Sequence, residues 1–154
     1  KPIGDEGGLK KALEYVQGDE ARVLNCDILT DLPLAQLPPG PALVVVHPRS
    51  PWGVLKRAWT VGKKVPLLPG RYCLEEKPLL TDLWVSGGIY RFPKSIQPEL
   101  ADEGEIARGI LPKLLDQGLL NILYYEGKWG AVETPKDIQE AEEFARSMSD
   151  YSVS

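Results

Sequence analysis

The chain has 154 residues, 43% of them hydrophobic, and carries 18 Lys and Arg against 22 Asp and Glu, a formal net charge of −4. This length is enough to bury one sizeable core, and the charge excludes the basic footprint of a nucleic-acid-binding domain. No apolar run reaches the length of about 18 residues that a membrane-spanning helix requires, so neither nucleic acid nor a membrane is an expected partner.

The first predicted element is a helix that follows a glycine-rich turn. Apolar residues recur at helical spacing in GGLKKALEYVQ, and Gly18 with Asp19 ends the pattern. Backbone N–H groups at a junction such as GDEGGL can hold an anion or the edge of a base. Because the junction has neither a Walker loop nor GxGxxG spacing, the residues alone favour a plain helix start.

The stretch RVLNCDILTD predicts a buried strand over residues 21–29, with carboxylates at its end. Ligands in open α/β sheets gather beyond the carboxyl ends of strands, so Asp27 is a candidate single ligand for Mg²⁺. The alternative is that Asp27 and Asp31 only end the strand and cap the next turn. Cys26 lies in the apolar run and, like Cys73, is expected to be a reduced core residue of a cytoplasmic protein.

The middle of the chain predicts strands and a charged turn. ALVVV at residues 42–46 is a second buried strand, residues 52–61 and 64–68 predict a β-hairpin, and residues 71–75 continue in extended form. LEEKP then places Glu76 and Lys77 at a strand end, where Lys is a point charge for a phosphate and Glu an acceptor for sugar hydroxyls. A charged loop before a proline is the simpler interpretation. The tryptophans are expected in or beside the core: Trp52, Trp59, Trp84 and Trp129.

The remaining elements complete an alternating pattern. Residues 83–92 predict a strand in which the pair Gly87-Gly88 marks a bulge or a close approach to a ligand. A helix over residues 105–117 follows, beginning nearer Ile110 if Pro112 limits it, and Gly118 is placed to end it. After strands at 119–125 and 129–133, Thr134 and Asp137 cap a last helix whose buried stripe would be Ile138, Ala141, Phe144, Ala145 and Met148. Alternating strands and helices predict an α/β domain with a mixed sheet.

The order of the segments resembles one protein family. Seven segments follow the order found in the sugar-1-phosphate nucleotidyltransferases: GDEGGLKKAL, VLNCDILTD, PWGVL, LEEKP, VSGGIYRFP, ILPKLLDQG and GKWGAVETPKDIQEAEEF. The resemblance covers residues 4–144, and no single segment decides it. It implies a Rossmann-like α/β/α sandwich with a mixed central sheet, incomplete at its N-terminus. It also implies a reaction that joins a nucleoside triphosphate to a sugar 1-phosphate and releases pyrophosphate.

The resemblance implies a role for each matching residue. Asp27 matches the aspartate that ends an NGD-type motif and holds Mg²⁺. Glu76 and Lys77 match an EKP pair, with Glu on the sugar and Lys, the catalytic candidate, on its phosphate. The other matches are the turn and helix start beside the base and ribose, and a glycine of the sugar pocket: Gly7, Gly8, Leu9 and Gly88.

Three departures from the family pattern bear on activity. The GGxGTRLxPLT signature, which cradles the triphosphate in the family, is not among residues 1–154, and Cys26 stands where the NGD motif has glycine. Ala131 stands where the family has a second metal-binding aspartate. Glu133, which on a strand would point to the same face as Ala131, is the candidate replacement ligand.

These features predict that residues 1–150 are the C-terminal, sugar-binding portion of a cytoplasmic nucleotidyltransferase domain that uses Mg²⁺, with residues 151–154 as a frayed tail. Its partners would be a nucleoside triphosphate and a sugar 1-phosphate, or a nucleotide sugar. The sequence leaves the oligomeric state open, although the exposed edge of an incomplete sheet invites pairing of two copies as a homo-oligomer. The complete form would transfer a nucleoside monophosphate, whereas residues 1–154 alone are expected to lack appreciable activity. The alternative is a non-catalytic regulatory or scaffold homologue that binds a nucleotide sugar or a catalytic partner.

Overall fold

The computed structural model describes residues 2–57, 72–135 and 137–149. Helices and strands alternate along these ranges, with two short 3₁₀ helices at Leu34–Gln36 and Lys94–Glu99. The elements in chain order are α1 (Gly4–Tyr15), β1 (Glu20–Leu24), β2 (Ile28–Thr30), β3 (Ala42–Val46), β4 (Val54–Arg57), β5 (Tyr72–Glu75), β6 (Val85–Pro93), α2 (Ile110–Asp116), β7 (Asn121–Tyr125), β8 (Trp129–Ala131) and α3 (Asp137–Ser149).

The central sheet has four strands in the order β1-β6-β3-β7. β1 runs antiparallel to β6, and β3 runs parallel to β7, so the sheet is mixed. All five residues of β3 are buried, as expected for an interior strand that is covered on both faces. Two smaller antiparallel pairs, β2–β8 and β4–β5, complete the described strands. The predicted α/β class with a mixed sheet is therefore confirmed.

The chain divides into two compact units. The first contains residues up to 46 and from 86 onward, and its core is built from large apolar side chains with almost no exposed surface: Leu13, Val44, Ile89, Phe92 and Ile110. The second, His47–Val85, contains the β4–β5 pair and a bridge between Arg49 and Leu79. None of the helices in the described ranges combines the length and apolar character needed to cross a membrane.

The single strand predicted over residues 21–29 is wrong, because the structure divides it into two. β1 ends at Leu24, β2 begins at Ile28, and the two strands join different sheets. The residues between them form a turn that is closed by a hydrogen bond from the Ile28 N–H to the Asn25 carbonyl at 3.3 Å. Cys26, predicted to lie in the core, is exposed on this turn.

Helix α2 confirms the later of the two predicted starting points. It begins at Ile110, so Pro112 falls in the first turn, where its missing N–H would have no helical partner anyway. Gly118 ends it with φ +67, and the Leu119 N–H donates to the Leu114 carbonyl at 2.8 Å, which completes a Schellman motif. Leu115, next to the buried Leu114 in this helix, is exposed.

Several predicted side-chain environments can be compared with the structure. Trp84 and Trp129 are half-buried, as predicted, whereas Trp52 and Ile138 are exposed, and their predicted burial is wrong. The predicted cap of α3 is confirmed, because the Asp137 carboxylate accepts from the Thr134 N–H at 2.8 Å. Other predictions lie outside the described residues: the hairpin turn at 61–63 with its second arm, Trp59, the side chains of Cys73 and Met148, and the tail.

Candidate functional site

The turn at residues 25–27 lies at the carboxyl end of β1 and is held from two sides. On one side the Asn25 N–H donates to the Gly88 carbonyl at 2.9 Å. On the other, the Val132 N–H donates to the Asp27 carbonyl at 2.8 Å, which extends the β2–β8 pairing by one residue. The Asp27 side chain is exposed. Backbone hydrogen bonds therefore fix the position of Asp27 while its carboxylate stays open to a ligand.

A groove of about 750 Å³ runs between α1 and β1 and reaches this turn. Residues 16–19 alone join the two elements, so β1 runs back along α1 and its carboxyl end lies beside the first turns of the helix. The structure thus brings Gly8 and Asp27 into one groove. The lining of α1 forms a single helical face: Asp5, Gly8, Leu9, Ala12, Leu13 and Val16.

Gly7, Gly8 and Leu9 were predicted to lie beside the base and ribose of a nucleotide, and their surroundings differ. Gly7 is buried, and a Cβ built on it would lie 2.3 Å from the Asp102 carbonyl oxygen, so packing alone requires a glycine there. Leu9 is buried as part of the core. Gly8 lines the groove, and a Cβ built on it meets no atom of the described residues within 4 Å. Of the three, Gly8 offers a backbone that a ligand can approach.

The first turns of α1 are held by residues 100–109. Glu6 is only 1% exposed, and one of its carboxylate oxygens accepts from the Ala101 N–H at 3.0 Å. Asp5 accepts from the Ile106 N–H at 2.8 Å, and Lys10 donates to Asp102, also at 2.8 Å. The hydrogen bond and the charge of Lys10 lower the pKa of the Asp102 carboxyl. These contacts fix the backbone on both sides of Gly8.

Gly88 supports the turn that presents Asp27. Its φ is +68, a region that suits glycine, and a Cβ built on it would lie 2.9 Å from the Asn25 side-chain nitrogen. The group that comes close to the backbone of Gly88 is therefore the Asn25 side chain of the same polypeptide and not a ligand. A role for Gly88 in a sugar pocket stays a prediction.

Glu76 and Lys77 lie in the second unit, directly after β5, and both side chains are exposed. Lys77 has φ +44, a left-handed conformation that costs a non-glycine residue about 1–3 kcal/mol. The turn is held by a bond from the Ser50 N–H to the Pro78 carbonyl at 2.9 Å and by the Arg49 guanidinium near the Lys77 carbonyl at 3.5 Å. Strained residues cluster at ligand sites, so this turn is the candidate site of the second unit.

Comparison with solved structures defines the fold, although no family model and no curated protein matches the sequence. HddC from Yersinia pseudotuberculosis matches with a TM-score of 0.60, and its GMP-PN complex with 0.63, at 20% identity over 94% of this chain and 64% of that one. A protein from Bacillus anthracis assigned as a glucose-1-phosphate thymidylyltransferase matches with 0.59 at 20% identity, over 95% and 62%. The inositol-1-phosphate CTP transferase of T. maritima matches with 0.57 at 14% identity, over 95% and 62%.

The two neighbours whose names give an activity are nucleotidyltransferases, one for glucose 1-phosphate and one for inositol 1-phosphate. The chain has the nucleotidyltransferase fold. Residues 1–154 span just under two thirds of the length of each neighbour, between 62% and 64%. The resemblance found in the order of the sequence segments, and the Rossmann-like class that it implied, are confirmed at the level of the fold.

Within this nucleotidyltransferase fold, Ala131 lies beside Asp27. Ala131 pairs with Ile28 across the β2–β8 ladder, one position from the residue that faces Asp27. Glu133 lies beyond the end of β8 with its side chain exposed, and its N–H donates to the Asp137 carboxylate at 3.1 Å. Its predicted role as a replacement metal ligand stays a prediction.

The described residues of this nucleotidyltransferase fold fit a metal site that has a single protein carboxylate. The described residues contain no group of three or more His, Cys, Asp and Glu side chains that could hold an ion by themselves. Mg²⁺ at nucleotide sites is usually held by one or two carboxylates together with substrate phosphates. The exposed Asp27, fixed at the end of a groove, fits such a single-carboxylate site.

Asp31, the second carboxylate of RVLNCDILTD, has a structural role that sequence reasoning left open. It accepts hydrogen bonds from the Tyr125 hydroxyl and from the Lys128 N–H, the latter at 2.8 Å. Partial burial and the hydrogen bond to Asp31 raise the pKa of Tyr125 to about 12. Because these partners lie more than 90 positions away in the sequence, no local pattern identifies them.

Proposed function

We propose that residues 1–154 are part of a sugar-phosphate nucleotidyltransferase domain that, in complete form, transfers a nucleoside monophosphate from a nucleoside triphosphate to a sugar 1-phosphate. The observation that carries this proposal is the groove that Gly8 and Asp27 share at the carboxyl end of β1. Ligands of open α/β sheets bind at such strand ends. The GMP-PN complex of HddC supports a nucleotide as the ligand class.

Each residue has a defined part in the proposed reaction. Gly8, in the second turn of α1, lets the base or ribose approach the helix backbone because no Cβ stands in the way. Asp27 is the single protein ligand for Mg²⁺, and the ion, when bound, neutralises phosphate charge. Gly88 accepts the hydrogen bond from the Asn25 N–H and so stabilises the turn that presents Asp27. In the second unit, Lys77 holds the sugar phosphate by its charge, and Glu76 accepts hydrogen bonds from the sugar hydroxyls.

The proposed chemistry requires no nucleophile from the protein. An oxygen of the sugar phosphate forms a bond to the α-phosphorus, and the bond from that phosphorus to the bridging oxygen breaks. Pyrophosphate leaves with the electron pair. The chain's own residues act by binding the substrates and by offsetting charge, and positioning and charge neutralisation are the effects that dominate phosphoryl and nucleotidyl transfer.

Titration calorimetry with each nucleoside triphosphate, with and without Mg²⁺, tests the proposal. We expect Asp27→Asn to weaken the Mg²⁺-dependent binding of the preferred nucleotide by about tenfold or more, because its only protein carboxylate is lost. Asp116→Asn, which changes another carboxylate of the same unit in α2, is the matched control. Equal affinities for the wild type and Asp27→Asn would rule out the proposed metal role.

Ala131 favours a second candidate, a non-catalytic homologue that binds a nucleotide sugar and regulates a catalytic partner. An alanine beside Asp27 offers no second carboxylate, and a weakly held ion leaves phosphate charge poorly neutralised. This candidate predicts nucleotide-sugar binding that is independent of Mg²⁺ and no turnover in any longer form of the protein. Turnover that Asp27→Asn abolishes would exclude it.

A further inference from the structure

Asp5 brings a negative charge into the groove beside Gly8. The two residues are three positions apart in α1, so they lie on one face of the helix, about 4.5 Å apart along its axis. Among the described α1 residues that line the groove, Asp5 alone carries a charge, and its side chain is exposed. A ring that lies against the open backbone at Gly8 therefore has a carboxylate next to it.

The Asp5 carboxylate is held in one orientation. Its oxygen Oδ1 accepts from the N–H of Ile106, a residue that is only 1% exposed, at 2.8 Å. Ile106 also lines the groove, so this anchoring bond lies at the groove wall. A carboxylate has about four acceptor positions on its two oxygens, and this bond uses one of them. None of the ion pairs between described residues involves Asp5, so the remaining positions are available to a ligand.

Two other charged side chains of the described residues line the groove, and each has another role. Arg22 donates to the Leu34 carbonyl at 3.1 Å and lies 3.6 Å from the Glu20 carboxylate. Asp27 is the candidate metal ligand at the carboxyl end of β1. Asp5 is thus the charge in the groove that neither the fold nor the proposed metal site fully uses.

We propose that Asp5 selects the base of the bound nucleotide and that this base is guanine. The inference rests on the proposed function, because it names the substrate of the same groove. Guanine carries two neighbouring donors on its Watson–Crick edge, N1–H and the 2-amino group, and a carboxylate accepts from both at once through its two oxygens. Hydrogen bonds to an ionised acceptor are roughly twice as strong as those between neutral groups.

The other bases lack this pair of donors. Adenine and cytosine place a ring nitrogen with a lone pair beside the amino group, and uracil and thymine place one N–H between two carbonyl oxygens. Each of these edges brings a lone pair against a carboxylate oxygen, which is then repelled or left without a partner. A site built to hydrogen-bond a substrate group discriminates strongly against analogues that lack it. Asp5 therefore determines specificity by rejecting the other bases as well as by accepting guanine.

Titration calorimetry of the wild type and Asp5→Asn with Mg²⁺ and GTP, ATP, CTP, UTP or xanthosine triphosphate tests the inference. We expect the wild type to bind GTP about tenfold or more tightly than the other four. Asparagine can still accept from the Ile106 N–H, but it replaces one acceptor oxygen with an amide donor. Xanthine carries a carbonyl where guanine carries the 2-amino group, so Asp5→Asn should bind xanthosine triphosphate more tightly than GTP.

Glu14→Gln is the matched control, because Glu14 is exposed on the same helix but does not line the groove. It should retain the wild-type preference for GTP. Slow hydrogen exchange at the Ile106 amide verifies that Asp5→Asn is folded and keeps its bond to this amide. If it is not folded, Asp5→Ser replaces it, since a hydroxyl can accept the same bond and offers guanine only one oxygen.

Three results would overturn the inference, and they distinguish its failure from that of the proposed function. If the wild type binds all the triphosphates equally, or if Asp5→Asn keeps the preference for GTP, the groove binds nucleotides but Asp5 only ties α1 to residue 106. If no triphosphate binds, the proposed function fails together with the inference.

Discussion

At the scale of single residues, Gly7 and Gly8 are adjacent in the sequence but have opposite requirements. We expect Gly7→Ala to lower the free energy of unfolding by about 1–3 kcal/mol, because its Cβ would meet the Asp102 carbonyl oxygen. Gly8→Ala should raise it by about 0.5–1 kcal/mol, because alanine is the better helix former and the space is open. Urea denaturation measures both values, and equal losses in the two variants would contradict the packing described above.

The same pair separates folding from binding. If a ligand approaches the backbone at Gly8, Gly8→Ala weakens nucleotide affinity even though the protein is more stable. If Gly8→Ala is more stable and also binds the nucleotide with full affinity, Gly8 is not part of the proposed site. The description of the fold would not be affected by that result.

Tyr125 predicts a dependence of stability on alkaline pH. Partial burial and the hydrogen bond to Asp31 raise its pKa from 10.0 to about 12. The folded protein keeps this proton over a range in which the unfolded chain loses it, so the free energy of unfolding should fall as pH rises from about 10 to 12. Below about pH 10 this group should contribute no pH dependence.

Urea denaturation across that pH range, compared with Tyr125→Phe, measures the contribution of this group. The phenylalanine variant should lose this part of the pH dependence, whereas Tyr15→Phe, at a residue that is 83% exposed, should retain it. Identical pH profiles for the wild type and Tyr125→Phe would show that the phenol does not titrate differently in the two states.

At the scale of elements, the contact between α1 and residues 100–109 fixes the candidate nucleotide end of the groove. Glu6→Ala removes a buried side chain and leaves the Ala101 N–H without its acceptor, so it should lower the free energy of unfolding by about 1–3 kcal/mol. Glu14→Ala, at an exposed glutamate of the same helix, should change it by less than about 0.5 kcal/mol. Equal effects in thermal denaturation would show that Glu6 does not hold this contact.

The elements also show which parts of the structure could be predicted from sequence. Sequence patterns that act within a few residues predict three features correctly: the start of α2 near Pro112, its end at Gly118, and the cap at Asp137. The division between β1 and β2 was missed, because it depends on Gly88, 63 positions beyond Asn25 in the chain. The burial of Glu6 was missed for the same reason, since its partner Ala101 is 95 positions away.

The candidate site was predictable to different degrees. The resemblance identified both Gly8 and Asp27 before their shared groove was known, because motif order carries information that local periodicity does not. It could not separate Gly8 from Gly7, because that distinction depends on the Asp102 carbonyl in a remote segment. It also could not assign Asp31, whose partners Tyr125 and Lys128 follow from the tertiary fold.

At the scale of the whole molecule, the α/β architecture was predictable because ALVVV forms an interior strand and helices alternate with strands along the chain. The four-stranded mixed sheet places the end of β1, rather than any acidic cluster, at the candidate site. The proposed function therefore depends on one strand and on the groove beside it.

The central claim is that the carboxylate of residue 27 and the backbone at Gly8 meet the phosphates and the base of one nucleotide. Amide NMR spectra of residues 1–154, recorded with a nucleoside triphosphate while Mn²⁺ replaces Mg²⁺, test this claim most directly, because the paramagnetic ion broadens nearby signals. We predict broadening centred on Asp27, extending to Gly8 and lost in Asp27→Asn. Broadening centred on the acidic residues of α3, such as Glu142 and Glu143, with Asp27 and Gly8 unaffected, would contradict the account.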